Sequence, residues 1–138
     1  SLEQTLLDPE VRNFLLEEKL ALITPFNPSS PFTPGKAMGR NPLIYCLADY
    51  AVVISSAKDR GGTWAGAKTA LKSNWCPVFV RADDEVPEGN SALIEKGGIP
   101  LDLDAMPEDT GFEGWLESLA EKHKPTPEKP EVIQQELF

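Results

Sequence analysis

The chain is poor in the side chains that carry soft nucleophilic and metal chemistry: it has one histidine, His123, and two cysteines, Cys46 and Cys76. A lone histidine speaks against a metal centre, and it lies far along the chain from Ser55 and Ser56, so a seryl nucleophile has no base to work with. The cysteines lack CxxC spacing and each sits in an apolar run, so they read as reduced core residues. No apolar run approaches the ~20 residues of a membrane span. The opening SLEQTLLDPE lacks the basic-then-apolar layout of an export signal. These absences predict a cytoplasmic chain with no metal, no cofactor and no membrane contact.

Positive charge is scarce as well. Thirteen Lys and Arg stand against 22 Asp and Glu, a net charge of −9, and that balance argues against nucleic acid as a partner. The distribution argues the other way. From Lys36 to Arg81 there are seven basic residues and only two acidic ones, Asp49 and Asp59, so this segment is +5 while the remainder is −14. A basic surface on an acidic molecule is the expectation.

What is present centres on the stretch from Tyr50 to Trp75. An apolar run, Ala51 to Ile54, passes through Ser55 and Ser56 into a polar turn with Lys58 and Arg60. A Gly61-Gly62-Thr63 step follows, then a helical pattern carrying Lys68 and Lys72. This reads as strand, glycine turn and helix start. Two glycines let backbone approach a ligand closely. The amides of a first helical turn have no partner inside the helix and, with the positive end of the helix dipole, suit a phosphate. A bare strand-to-helix connection explains the same glycines.

At 138 residues and 41% hydrophobic content the chain fits one domain. Asp8-Pro9 predicts a helix start, with Val11, Phe14, Leu15 and Leu20 as an apolar face and an end near Lys19. Leu20 to Thr24 reads as a short buried strand. Between Pro25 and Lys36, four prolines and a glycine predict a surface loop, of the kind that often carries function. Asn41-Pro42 predicts a second helix start, placing Arg40 just before a helix N-terminus, with Leu43, Ile44, Leu47 and Ala48 as the buried side. Strands follow at Ala51–Ile54, Pro77–Val80 and Ile99–Leu101. Helices follow from Gly89-Asn90 to Gly97-Gly98 and from about Gly111 to Lys122, the latter with Phe112, Trp115, Leu116 and Leu119 on one face. Alternating strands and helices predict an α/β, Rossmann-like three-layer fold with a short, mainly parallel sheet over residues 1–123, and ligands beyond the carboxyl ends of its strands. Residues 124–138, with three prolines, read as a tail. There is no internal repeat.

The run GRNPLIYCLADYAVVISSAKDRGGTWAGAKTAL, continued by PVFVR and GNSALIEKGGIPL, resembles the second half of the Rossmann-like domain of the DprA/Smf DNA-processing family, over Leu22 to Leu101. The matching positions are Arg40-Asn41 opening a helix that ends in Leu47-Ala48-Asp49, the small-residue turn Ser55 to Thr63, and Gly89, Asn90, Leu93, Ile94 and Gly97. Pro42 stands where the family has a second arginine, and the family's earlier Gly-Ser-Arg strand turn has no counterpart. The resemblance therefore implies either a fragment of a longer domain or a shortened sheet, truncated in both cases, with an edge that needs cover, which a second copy in a homodimer would give. It also implies non-catalytic binding of single-stranded DNA and hand-over to a RecA-type recombinase. Arg40, Asn41, Ser55, Ser56, Lys58, Arg60, Gly61, Gly62 and Thr63 are the candidate phosphate or DNA ligands, while Trp64 and Trp75 read as core.

Two alternatives share the turn. One is a nucleotide-processing enzyme of the phosphoribohydrolase-like Rossmann class, but no acid lies between Thr63 and Trp75 to act on a ribosyl bond. The other is a mononucleotide sensor. Separately, Gln134-Gln135-Glu136-Leu137-Phe138 resembles the pentapeptide that docks on sliding clamps, with Gln134, Leu137 and Phe138 as the contacts; folding back over the core through its apolar residues is the other reading.

Overall fold

The computed structural model describes residues 1–123. It is an α/β fold around a parallel sheet in the order β1 (Ala51–Val53), β2 (Val78–Arg81), β3 (Ile99–Leu101). Ala51 pairs with Val78, and Phe79 pairs with both Val52 and Ile99. The helices are α1 (Leu2–Thr5), α2 (Pro9–Leu16), α3 (Pro34–Leu47), α4 (Gly61–Ser73), α5 (Glu88–Glu95) and α6 (Phe112–Lys122).

The central strand is apolar and buried from Val78 to Val80 because both of its faces are covered there. On one face Val53, Val78 and Val80 pack with Trp64, Ala67 and Ala70 of α4 and with Ala92 and Leu93 of α5. On the other, Phe79, Ile99 and Leu101 pack with Trp115, Leu116 and Ala120 of α6. Each large core side chain contributes roughly 1.5–3 kcal/mol through burial. Helices on both faces of the sheet give the three layers expected, and α3 stacks on α4 outside them.

Four expectations are corrected. Leu20 to Thr24 is not a strand: it joins no ladder, Ile23 is 77% exposed, and the segment ends in a local turn where Thr24 Oγ1 accepts from Phe26 N–H at 3.1 Å. Second, α3 starts at Pro34, not Pro42. Thr33 caps it, its Oγ1 accepting from Lys36 N–H at 3.2 Å, with Pro34 in the first turn. Thr33-Pro34 and Asn41-Pro42 are competing start signals, and the earlier one wins. Pro42 is carried inside the helix without an N–H for the carbonyl of Met38, so Arg40 lies mid-helix.

Third, Leu43, Ile44 and Leu47 are exposed. With Thr33 as cap, the face of α3 turned to α4 carries Met38, Asn41 and Tyr45 instead, which stand against Gly62 and Gly66. Fourth, Cys46 is exposed on this helix, while Cys76 is buried as expected and burial pushes its thiol up. The helix begun by Asp8-Pro9 ends at Leu16, short of Lys19, with no fully buried residue. Gln134, Leu137 and Phe138 lie outside the described residues.

The elements meet at one side chain. Asn90, fully buried, accepts from Ser56 N–H through Oδ1 at 2.8 Å and donates from Nδ2 to the carbonyls of Ile54 (3.1 Å) and Arg81 (3.0 Å). Its neighbour Gly89 has no room for a side chain, since a Cβ there would lie 2.2 Å from the Ser56 oxygen. Leaving a buried polar group unpaired costs ~1–3 kcal/mol. Asn90→Ala strands three, so a loss of ~3 kcal/mol or more is expected in urea unfolding; a loss below ~1 kcal/mol would show that water replaces the amide.

Candidate functional site

The loop that Asn90 holds, Ser55 to Arg60, leads from the carboxyl end of β1 to α4, where an α/β sheet places its ligands. Ser56 faces inward and its hydroxyl donates to Ala57 O at 3.4 Å, so its role here is structural. Ser55, Lys58 and Arg60 are exposed. Asp59 has φ 58° and Gly61 has φ 83°; at Gly61 this left-handed backbone turns the chain into the helix and favours glycine. No side chain caps α4. Gly61, Gly62 and Thr63 form its first turn, whose amides have no partner inside a helix, and all three residues are exposed.

The basic residues divide into two groups. Lys58 is paired with Glu88 of α5, and Arg81 with Asp83. Hydrogen bonding to Glu88 holds the Lys58 ammonium above its ordinary range, and the Arg81 guanidinium holds the Asp83 carboxyl below its own. Lys36, Arg40, Arg60, Lys68 and Lys72 have no carboxylate partner among the described residues. The +5 of the central segment is thus offset at Lys58 and Arg81 by acids from outside it.

Arg40 and Asn41 point to different places. Asn41 reaches the turn, Nδ2 donating to Gly62 O at 3.5 Å, and with Gly62, Thr63, Met38 and Ile44 it lines a depression of about 500 Å³. Arg40 and Lys36, one helical turn apart, line another of about 370 Å³ with Phe26, Asn27 and Ser30 of the proline-rich loop. The structure therefore does not bring Arg40 into one pocket with Gly61–Thr63. Phe32 and Ala37 line both depressions, which makes them neighbours along α3. Phe32 is 75% exposed, whereas Trp64 is buried in the core and Trp75 packs against it.

Sequence reasoning passed over Phe26 and Phe32 as individual residues, and counted Lys36 only as part of the basic segment. The signal for them was the length and proline content of their loop. Among the described residues no group of three or more His, Cys, Asp or Glu is placed to hold a metal ion, and no helix is long and apolar enough to cross a membrane.

A family model described as DNA recombination-mediator protein A matches residues 10–106, which span the whole sheet, the turn and the depression beside it. No curated protein and no solved structure matches the chain.

The uncapped turn makes its own prediction. Titrating inorganic phosphate into the ¹⁵N-labelled protein should shift the Gly61, Gly62 and Thr63 amides along one saturable curve. Unmoved amides at all three, with shifts elsewhere, would rule out the turn as an anion site.

Proposed function

The chain belongs to the DNA recombination-mediator protein A family, and on that premise we propose that it binds single-stranded DNA, without catalysis, along the two neighbouring depressions. The observation that carries this reading is the composition of the track. Lys36 and Arg40 lie at one end, Gly62 and Thr63 of the turn at the other, and the exposed Phe32, which lines both depressions, between them. Single-strand binders combine backbone-tracking positive charge with aromatic faces on which bases stack. The stacking platform is Phe32, supplied by the proline-rich loop.

The recombination-mediator role of the family fits a protein that holds a strand for a recombinase rather than cutting or joining it. A mononucleotide sensor would need the turn alone. The extension of the track past Phe32 to Arg40 favours a ligand of several nucleotides.

Fluorescence anisotropy with labelled oligothymidylates tests the proposal. Affinity should rise with strand length and fall with salt, with a slope of about −0.7 per phosphate neutralised. Lys36→Ala with Arg40→Ala should flatten the slope by more than one unit. Phe32→Ala should leave the slope alone and cost ~1–3 kcal/mol. Equal affinity for mononucleotide and oligomer would refute the strand reading.

The Lys58–Glu88 pair adds a sign-specific expectation. Glu88→Gln frees a lysine beside the turn, so binding should tighten and the salt slope should steepen; weaker binding would place Lys58 off the path of the strand.

A further inference from the structure

The depression beside the turn, about 500 Å³, is lined by α3, β1 and the start of α4. Its size is within the ~300–1,000 Å³ usual for small-ligand sites. The wall is apolar and open to solvent, with Met38 43%, Ile44 51% and Val52 38% exposed. Half-buried Tyr45 belongs to it too, its ring centroid 6.5 Å from that of Trp75. Apolar side chains gathered around one hollow suit a ligand with apolar faces. Gly62 and Thr63, from the first turn of α4, line the same hollow. A phosphate at that turn and a flat apolar group beside it are the two ends of one nucleotide.

Asn41 brings the one side-chain amide of this lining. Its Nδ2 donates to Gly62 O at 3.5 Å, a long bond and its only side-chain hydrogen bond among the described residues. Oδ1 and the second Nδ2 proton are therefore uncommitted, an acceptor beside a donor. The packing of α3 on α4 holds the amide in place. A Cβ at buried Gly66 would lie 3.3 Å from Asn41 Nδ2 and 3.1 Å from Tyr45 Cε2, so the lack of a side chain at Gly66 seats both groups.

The Watson–Crick edge of each nucleobase likewise sets a donor beside an acceptor, N3–H and O4 in thymine. An asparagine amide matches such an edge with two parallel hydrogen bonds, Oδ1 accepting from the ring N–H and Nδ2 donating to the carbonyl. A base held in this way has no edge left for a complementary strand. The same contact therefore separates a single strand from a duplex.

We propose that this depression takes one unstacked nucleobase of the bound strand and that Asn41 reads its Watson–Crick edge. The proposal rests on the single-strand reading above and adds the residue that recognises the base. Phe32 offers a face for stacking, Asn41 reads an edge, and the base covers Met38, Ile44 and Val52.

Fluorescence anisotropy of the full chain tests it with two labelled strands of equal length, an oligothymidylate and its N3-methylthymidine counterpart. Methylation keeps every phosphate and both stacking faces but removes the N3–H. The methylated strand should bind at least about fivefold more weakly, with an unchanged salt slope. Asn41→Ala should bring the two strands within about twofold of each other, whereas Phe32→Ala should weaken both and keep the difference between them. Equal binding of the two strands by the unaltered chain would overturn the proposal and leave the strand reading standing, as would a difference that survives Asn41→Ala. An oligothymidylate that does not bind at all would overturn both.

Discussion

Everything at the carboxyl ends of the strands depends on how one buried amide is shared. Asn90 offers one acceptor and two donors, and it uses them on three backbone segments: the loop after β1, the end of β1 and the end of β2. No other side chain of its size suits the task, because aspartate has no donors and leucine has no polar group. The bonds hold the first turn of α5 against the loop, at a distance only Gly89 permits. The loop then has one conformation, and the turn into α4 begins from a fixed point. A rigid support of that kind is what an anion site made of backbone amides needs, since amides cannot be repositioned by rotating a side chain.

The charge of the molecule follows the same logic of local arrangement over total. A net charge of −9 sets the far field and works against any polyanion. Within about 8 Å at physiological salt, local charges dominate, and the cations of α3 and α4 have no carboxylate partner among the described residues. The acids that do intrude, Glu88 and Asp83, are each spent on a single basic residue. On the proposed reading, binding to such a surface would rest on few phosphate contacts, so an aromatic face such as Phe32 would weigh more than on a strongly basic protein.

Much of the fold was legible because its signals were local and strong. β2 and β3 are short apolar runs bounded by loops, α6 has a clear apolar face, and Gly89-Asn90 marked a helix start whose three-way bonding no sequence pattern reveals. The failures came where two local signals competed or where packing decided. Thr33-Pro34 and Asn41-Pro42 both announce a helix start, and choosing the later one displaced Arg40 and inverted the buried face of α3. Leu20 to Thr24 has the composition of a strand, but a strand also needs a partner edge, which composition does not report. The turn itself was legible from Gly61-Gly62-Thr63. The Phe32 platform was legible only as a loop worth watching, because its exposure follows from the placement of α3.

The account stands on the two depressions acting as one track. A ¹⁵N-detected titration with an oligothymidylate long enough to span both measures this directly. The amides of Lys36 and Arg40 and those of Gly62 and Thr63 should shift together, with one midpoint and one stoichiometry. Two independent midpoints, or shifts at only one end of the track, would contradict it.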